Sequence, residues 1–388
     1  MVCEQFNPVI FDLGSSTVRT GWAGHDQPKF VESSYMARRV ADGSLDPMPI
    51  RFLNGSSNLK KNTELVDVVR AQEYSSEWTL QEDCLASLSD TLLYSSRGLQ
   101  TNSFERPLLS TCPTDAPVNF KRKYFEHFME SAQVPAFFLG DTSVLALYAS
   151  GRTSGILVDI GASATTIATV SKGSVVDSST YAVGGDSIDQ FISNRIDIDT
   201  SMIINTESFL ENHKLAIVRE IKHNSCKCSH HALLPVSPSA PSSRITRGTR
   251  KAPITSPSDA VMFKLPDGSE IDVSAVHEYA AESLFNSATN CDFPGLSSAI
   301  LEKSPSDFIL LTGGSAHIQG LHTRLVHEID AKHGKDACTI FPFAQWTHRL
   351  HSSFIGASIL ASLSSFASFW VTPSSYLENG VDRLVITK

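Results

Sequence analysis

The sequence predicts an α/β fold of two similar lobes facing a shared cleft. Two observations lead there. A strand–turn–strand phrase occurs twice, and short strands alternate with helices around both copies. The length of 388 residues accommodates two large domains or one bilobal unit.

The later copy, Gly155 to Val170, reads GILVDIGASATTIATV. Ile156, Leu157 and Val158 form an apolar run that Asp159 ends. Gly161 and small residues follow, then β-branched residues to Val170, which together read as strand, tight turn and strand. The earlier copy, Val9 to Gly24, reads VIFDLGSSTVRTGWAG. Aligning Asp12 with Asp159 pairs Gly14 with Gly161, Ser16 with Ser163 and Val18 with Thr165. A carboxylate at the end of a buried strand is costly unless something pairs with it. A turn of Gly, Ala and Ser leaves backbone N–H groups accessible. Each copy therefore suits a phosphate on its turn and a hydrated divalent cation on its aspartate. The plainer alternative is a pair of ordinary hairpins whose aspartates cap turns. Repetition in register weighs against it.

Composition is that of a water-soluble globular chain, 41% hydrophobic and 19% charged, with a net charge of −9. That balance argues against a general nucleic-acid-binding surface. Seven scattered cysteines, an odd number, point to a reducing compartment rather than a disulfide framework. The amino terminus, MVCEQFNPVIF, lacks the features of a signal peptide. No apolar run is long enough to span a bilayer, so no membrane association is expected.

After the first hairpin comes a third short strand, to residue 31. Arg19 alternates with Val18 and Thr20 on the second strand, where it either reaches phosphates or is solvated. Residues 40–63, with Gly43, Pro47, Pro49 and Gly55, read as a small mobile excursion. Residues 64–98 read as broken helix, Leu108 to Thr111 as a strand, and Phe120 to Ser131 as a helix. In that helix Phe120, Tyr124, Phe125 and Phe128 share a buried face. A strand at Ala136 to Leu139 and a helix at Thr142 to Ser150 lead into the second hairpin. Gly184 and Gly185 open the next helix and permit close backbone approach. Leu215 to Lys222 is helical.

Residues 225–258, rich in Ser, Pro and Thr, read as a flexible insert. Its run Arg244 to Lys251 is either a solvated loop or a patch for import or an anionic partner. His223, Cys226, Cys228, His230 and His231 fit no standard zinc spacing, leaving loop thiols and imidazoles as the alternative to a metal. A hairpin turns at Pro266–Gly268. A buried strand, Phe308 to Leu311, ends at Gly313 and Gly314, where a flat ligand can lie on bare backbone. Leu321 to Ile329 is a helix. Ser358 to Trp370 is another, with Ile359, Leu360, Leu363 and Phe366 as core.

The phrases DLGSS, ALYASGRTSGILVDIGAS, LPDG, LTGGSAHIQG and IGASILASLSSFASFW, in that order, resemble actin and the actin-related proteins over most of the chain. Sugar kinases and heat-shock chaperones share the hairpins but not these flanking phrases. The resemblance implies an actin-like ATPase fold. Each lobe would carry a five-stranded mixed sheet with flanking helices around a central nucleotide cleft. It divides the chain into 1–149 with 350–388, and 150–349. It implies ATP or ADP with Mg²⁺. Gly14, Ser15, Ser16 and Thr17 would hold phosphates, as would Gly161, Ala162, Ser163 and Ala164. Arg19 stands where a phosphate lysine is usual, and Asp12 and Asp159 would hold the metal's water shell. Gly185, Lys222, Gly313, Gly314, Ser315 and Ala316 would line ribose and adenine.

Departures from the family pattern bear on chemistry. Actin has glutamine at Thr142, histidine at Thr166 and an acidic residue at Ala162. None of the replacements can orient or deprotonate water in the same way. Asp141 is adjacent, but one position on a helix turns a side chain by about 100°. In the base pocket His223 replaces a glutamate, Ile318 a tyrosine and Leu350 a lysine. The stretch between Phe285 and Leu310 is short, and the excursion at 40–63 departs too, which argues against long homopolymers. No catalytic residue is assigned. The resemblance thus implies a nucleotide-binding structural subunit with at most slow ATPase activity, held by other protein subunits in a cytoskeletal or chromatin-associated complex. A polymerising, ATP-hydrolysing divergent actin is the alternative. Cytoplasm or cytoskeleton is the expected location, and the nucleus stays open.

Overall fold

Both hairpins form, each as the first two strands of a five-stranded sheet. The structure is a computed structural model. It describes residues 7–53, 56–57, 60, 62–72, 77–102, 105–196, 207–233, 260–265, 268, 270–286, 293–303, 308–334, 339–342 and 346–386. In the first lobe β1 (Val9–Leu13), β2 (Thr17–Trp22) and β3 (Phe30–Ser33) form an antiparallel meander. Every side chain of β1 is buried, as a central strand covered on both faces requires.

An excursion then builds its own small sheets. β4 (Tyr35–Arg39) lies between β5 (Leu45–Asp46) and β8 (Thr63–Asp67), while β6 (Phe52–Leu53) pairs with β7 (Ser56–Ser57). Tyr35, Ala37 and Ile50 give it a core. β9 (Val69–Ala71) pairs with β10 (Trp78–Leu80). The broken helix expected over 64–98 therefore starts only at α1 (Glu82–Ser89), continued by a wider turn over Asp90–Tyr94. Val66, Val68 and Val69 explain the difference: β-branched residues suit strands.

β11 (Leu108–Cys112), α2 (Val118–Phe125), β12 (Phe137–Asp141) and α3 (Thr142–Ala149) follow. Phe120, Tyr124, Phe125 and Phe128 are buried as their spacing predicts. β13 (Gly155–Ile160), β14 (Thr165–Ser171) and β15 (Ser174–Tyr181) repeat the meander in the second lobe. After α4 (Gly185–Arg195) and α5 (Glu207–Ser225) come the hairpin β16 (Met262–Lys264) and β17 (Glu270–Asp272), then α6 (Ser274–His277) and α7 (Leu296–Leu301). β18 (Phe308–Thr312), α8 (Leu321–His333) and β19 (Thr339–Pro342) complete that lobe's sheet. The chain ends with α9 (Trp346–Leu350), α10 (Ser352–Ser362) and α11 (Pro373–Ile386).

The two large sheets have the same plan. Their orders are β3-β2-β1-β11-β12 and β15-β14-β13-β18-β19. In each, the first strand pairs antiparallel with its hairpin partner and parallel with the strand that arrives later. Each lobe has its own hydrophobic core. Between them α3 crosses α10: Leu145 packs with Phe354 and Ile355, and Ala146 and Leu147 pack with Leu157 and Leu310. At Gly356 the helices touch so closely that an added Cβ would lie 1.7 Å from the Leu145 carbonyl oxygen.

Two expectations are corrected here. The helix over 358–370 breaks at Leu363 and resumes as a 3₁₀ turn, Ser364–Phe369. Phe366 is core, but Ile359 and Leu363 are 42% and 49% exposed, because α10 turns Phe354, Ala357 and Ala361 inward instead. The flexible insert does not begin at 225. Cys226 and Cys228 are buried in the second core. The Lys227 N–H donates to His277 O at 2.8 Å and the Cys228 N–H to Gln319 O at 2.7 Å. Burial pushes both thiols up to about 12, so they are packing groups rather than loop thiols. Among the described residues no three His, Cys, Asp or Glu side chains gather as a metal site. The Arg244 to Lys251 run and the Pro266–Asp267 turn lie outside the described residues. No described helix is long and apolar enough to cross a membrane.

Candidate functional site

A cavity of about 650 Å³ opens between the two lobes, and both hairpin turns line it. The Gly14 N–H donates to Thr17 O at 3.0 Å, and the Gly161 N–H donates to Ala164 O at 2.9 Å. One bond thus closes both copies of the turn. It leaves the N–H groups of Ser15, Ser16, Ala162 and Ala164 without an acceptor among the described residues, beside the cavity they line. Converging free backbone donors of this kind bind anions.

Asp12 on β1 and Asp159 on β13 also line the cavity. Thr111 Oγ1 donates to Asp12 Oδ1 at 2.8 Å, and Thr312 Oγ1 to Asp159 Oδ1 at 3.3 Å. Those threonines sit on β11 and β18, equivalent strands of the two sheets, so the duplication extends to the aspartates' supports. Burial, and to a lesser degree the Asp12 charge, pushes the Asp159 carboxyl up to about 6, against lowerings by the Thr312 hydrogen bond and then by Arg19. Arg19 stands opposite Asp12 in the hairpin register. Its Nη1 donates to Asp12 Oδ2 at 3.2 Å and its Nε to His351 Nδ1 at 2.9 Å. Burial, and then Arg19, hold that imidazole down at about 4, neutral and able to accept.

Three distant segments meet at Gly185. A Cβ there would lie 2.8 Å from Ser315 Oγ and 3.3 Å from Lys222 Nζ. Ser315 Oγ donates to Gly161 O at 2.9 Å, and Lys222 Nζ donates to Gly185 O at 3.1 Å and pairs with Asp189 at 2.7 Å. Gly313 has φ +93°, and a side chain would collide with Asp159 Oδ1 at 2.4 Å. Ser16, Thr17, Gly314 and Ser315 line the cavity; Ser163 and Ala316 do not. Ser163 Oγ lies 2.7 Å from Ser15 Oγ and accepts the Ala71 N–H at 3.2 Å. Ala316 is 1% exposed and its carbonyl accepts from Arg349 Nη1 at 3.0 Å.

At the positions where chemistry was in question, Thr142, Ala162 and Thr166 all line the cavity. Thr166 Oγ1 lies 3.2 Å from Thr180 Oγ1. Asp141 cannot stand in for a base: its Oδ1 accepts the Ser143 and Val144 N–H groups and Thr114 Oγ1, capping α3. His223, Ile318 and Leu350 line the other end, with His317 and Arg349. Burial, then Lys222 and Arg219, bring the His223 imidazole down to about 4.

Sequence reasoning passed over Arg219 and Asp186, which line the cavity. Arg219 was findable, because it precedes Lys222 by three residues and so shares its helix face. Asp186 directly follows the glycines already singled out. The set fits a nucleoside phosphate with a hydrated divalent cation. Open N–H donors meet the anion, Arg19 adds charge, and two carboxylates offer hard oxygen ligands. Ile318 and Leu350 of the same cavity offer apolar surface for a base.

Comparison with known proteins gives the family. The Actin family model matches residues 3–388. An actin-like protein of Neurospora crassa is 28% identical over 391 aligned residues, covering 96% of this chain and 96% of that protein. Actin-related protein 4 of Oryza sativa subsp. indica is 24% identical over 451 aligned residues, with 98% of each covered.

Proposed function

This chain belongs to the actin family, and we propose that it binds ATP or ADP with Mg²⁺ between its lobes and serves as a structural subunit of a cytoskeletal or chromatin-associated complex. The lobes are taken as 1–149 with 350–388, and 150–349. The supporting observation is the pair of matching turns, each with unpartnered N–H donors, facing one cavity beside two aspartates. Asp12 and Asp159 would hold the hydrated cation, Arg19 and the turns the phosphates. Gly185, Lys222 and Gly313–Ser315 would hold the nucleoside. The cation would neutralise phosphate charge.

Hydrolysis in this reading is weak or absent. Thr142 and Thr166 line the cavity, and a threonine hydroxyl takes no proton near neutral pH. Asp141 is spent on its helix cap. The nucleotide then acts chiefly by stabilising the closed form, since a ligand bound only to the folded state adds stability by mass action. Partners are other protein subunits, with no direct contact to nucleic acid. The location is cytoplasmic or nuclear according to the complex.

Calorimetric titration with ATP and with ADP, in Mg²⁺ and in EDTA, tests the binding. Saturable uptake that weakens in EDTA is expected, with phosphate release far slower than that of conventional actin. No uptake of either nucleotide defeats the reading. Turnover at actin's rate defeats the part about hydrolysis.

A further inference from the structure

Tyr35 opens β4 on the first lobe's excursion, and Arg219 lies on α5 of the second. Arg219 Nη2 donates to Tyr35 Oη at 2.6 Å, and its guanidinium carbon is 4.6 Å from the centre of the ring. Tyr35 is 3% exposed, so the contact is shielded from water, where a charged donor counts most. The same guanidinium pairs with Asp189 at 3.3 Å and Asp186 at 3.7 Å. Asp186 also takes Arg70 of β9 at 3.6 Å, and Arg70 takes Asp67 at 3.1 Å. The series Tyr35, Arg219, Asp186, Arg70, Asp67 therefore passes from the first lobe to the second and back. The backbone of β7 also lies against α5.

This series is fastened to the second anion-binding turn. The Gly185 N–H donates to Gly161 O at 3.0 Å and the Asp186 N–H to Ala162 O at 2.9 Å. Ala71, next to Arg70, donates its N–H to Ser163 Oγ, which also meets Ser15 of the other turn. Arg219 and Asp186 stand on the cavity wall.

We infer that Tyr35, Arg219, Asp186 and Arg70 form a latch that holds the lobes over a bound nucleoside polyphosphate and limits how fast it enters and leaves. The inference rests on the nucleotide reading above. Parting the lobes must break the Tyr35–Arg219 and Arg70–Asp186 contacts, leaving charges without their cross-cleft partners. A latch slows both directions of exchange. A change that merely weakened the pocket would speed release alone.

The test uses the whole chain and a fluorescent N-methylanthraniloyl derivative of ATP with Mg²⁺, followed by stopped flow. Tyr35→Phe removes one hydroxyl and keeps the ring. Arg70→Ala removes a half-exposed charge, and neither residue lines the cavity. Release is expected to quicken about tenfold in Tyr35→Phe, the equivalent of about 1.4 kcal/mol, and several-fold in Arg70→Ala, with association quickening too. Raising the salt concentration should speed wild-type release more than that of Arg70→Ala, as screening of the ion pairs requires. Hydrogen exchange at the Ala71 amide, read without ligand, should rise in both variants. Wild-type uptake of the analogue with unchanged rates in both variants overturns the latch alone, as does unchanged Ala71 exchange. A wild-type chain that takes up no analogue overturns the nucleotide reading itself.

Discussion

Burial and the neighbouring Asp12 carboxylate push the Asp159 carboxyl from an ordinary 3.8 up to about 6. In the ligand-free protein the folded state therefore holds this proton more tightly than the unfolded chain does. The sign follows from linkage: the stability this group contributes is present below about pH 3.8 and lost as pH rises through about 6. At neutral pH the charge is a burden unless a cation answers it. Asp159→Asn should accordingly raise the ligand-free melting temperature near pH 7.5. The gain should shrink as the pH falls through about 6 and vanish only below about 3.8, where the folded and unfolded carboxyls are both protonated. The same variant should lose the stabilisation that Mg²⁺ with ATP gives the wild type. Melting curves across pH, with and without nucleotide, check both halves. Asp12 and Asp159 were legible in the sequence because the phrase around them repeats. Thr111 and Thr312, which hold their carboxylates, were not, since threonine is an ordinary residue in any strand.

Elements were legible where periodicity and punctuation agree. The two hairpins, the α2 face and the strand before Gly313 all formed as read. The strands Thr63–Asp67 and Val69–Ala71, at the start of the stretch read as broken helix, were not, because short β-branched runs such as Val66 to Val69 carry no helical or alternating period long enough to decide. Nor was the exposure of Ile359 and Leu363. Which face of α10 turns inward depends on its crossing with α3, a contact between segments about two hundred residues apart. That crossing gives the second prediction. A Cβ at Gly356 would press on the Leu145 backbone at 1.7 Å, and backbone, unlike a flexible side-chain tip, cannot swing aside. Gly356→Ala should raise intrinsic helix propensity by about 1 kcal/mol yet destabilise the protein overall, by about 2 kcal/mol or more, through overpacking. Denaturant titration reads the sign directly: a variant as stable as wild type means the helices separate more easily than this contact implies. Because α3 starts at the cavity with Thr142 and α10 with Ser352 and Ser353, nucleotide affinity should fall with the stability.

At the scale of the molecule, two lobes with separate hydrophobic cores are joined by a narrower seam around α3 and α10. The first seam cluster packs mainly on the first sheet and the second on the other sheet, through Leu157, Val170, Phe308 and Leu310. Such a chain need not unfold as one unit, since two-state behaviour is secure only for small single domains. Among the described residues, polar contacts reach across beyond the seam, among them Ser15 with Ser163, Ala71 with Ser163, Arg219 with Tyr35 and Arg70 with Asp186. A nucleotide with its cation would touch both turns and both aspartates at once, adding a bridge that exists only while both lobes are folded. Scanning calorimetry of the ligand-free chain should therefore show a broad or double transition. Mg²⁺ with ATP at about a hundred times its dissociation constant should add about 2.7 kcal/mol and draw the two components into one. A single sharp transition already present without ligand would mean that the α3–α10 seam alone couples the lobes. An upward shift confined to one component would mean that the ligand is held by one turn only, and the duplicated arrangement would then lose its physical purpose.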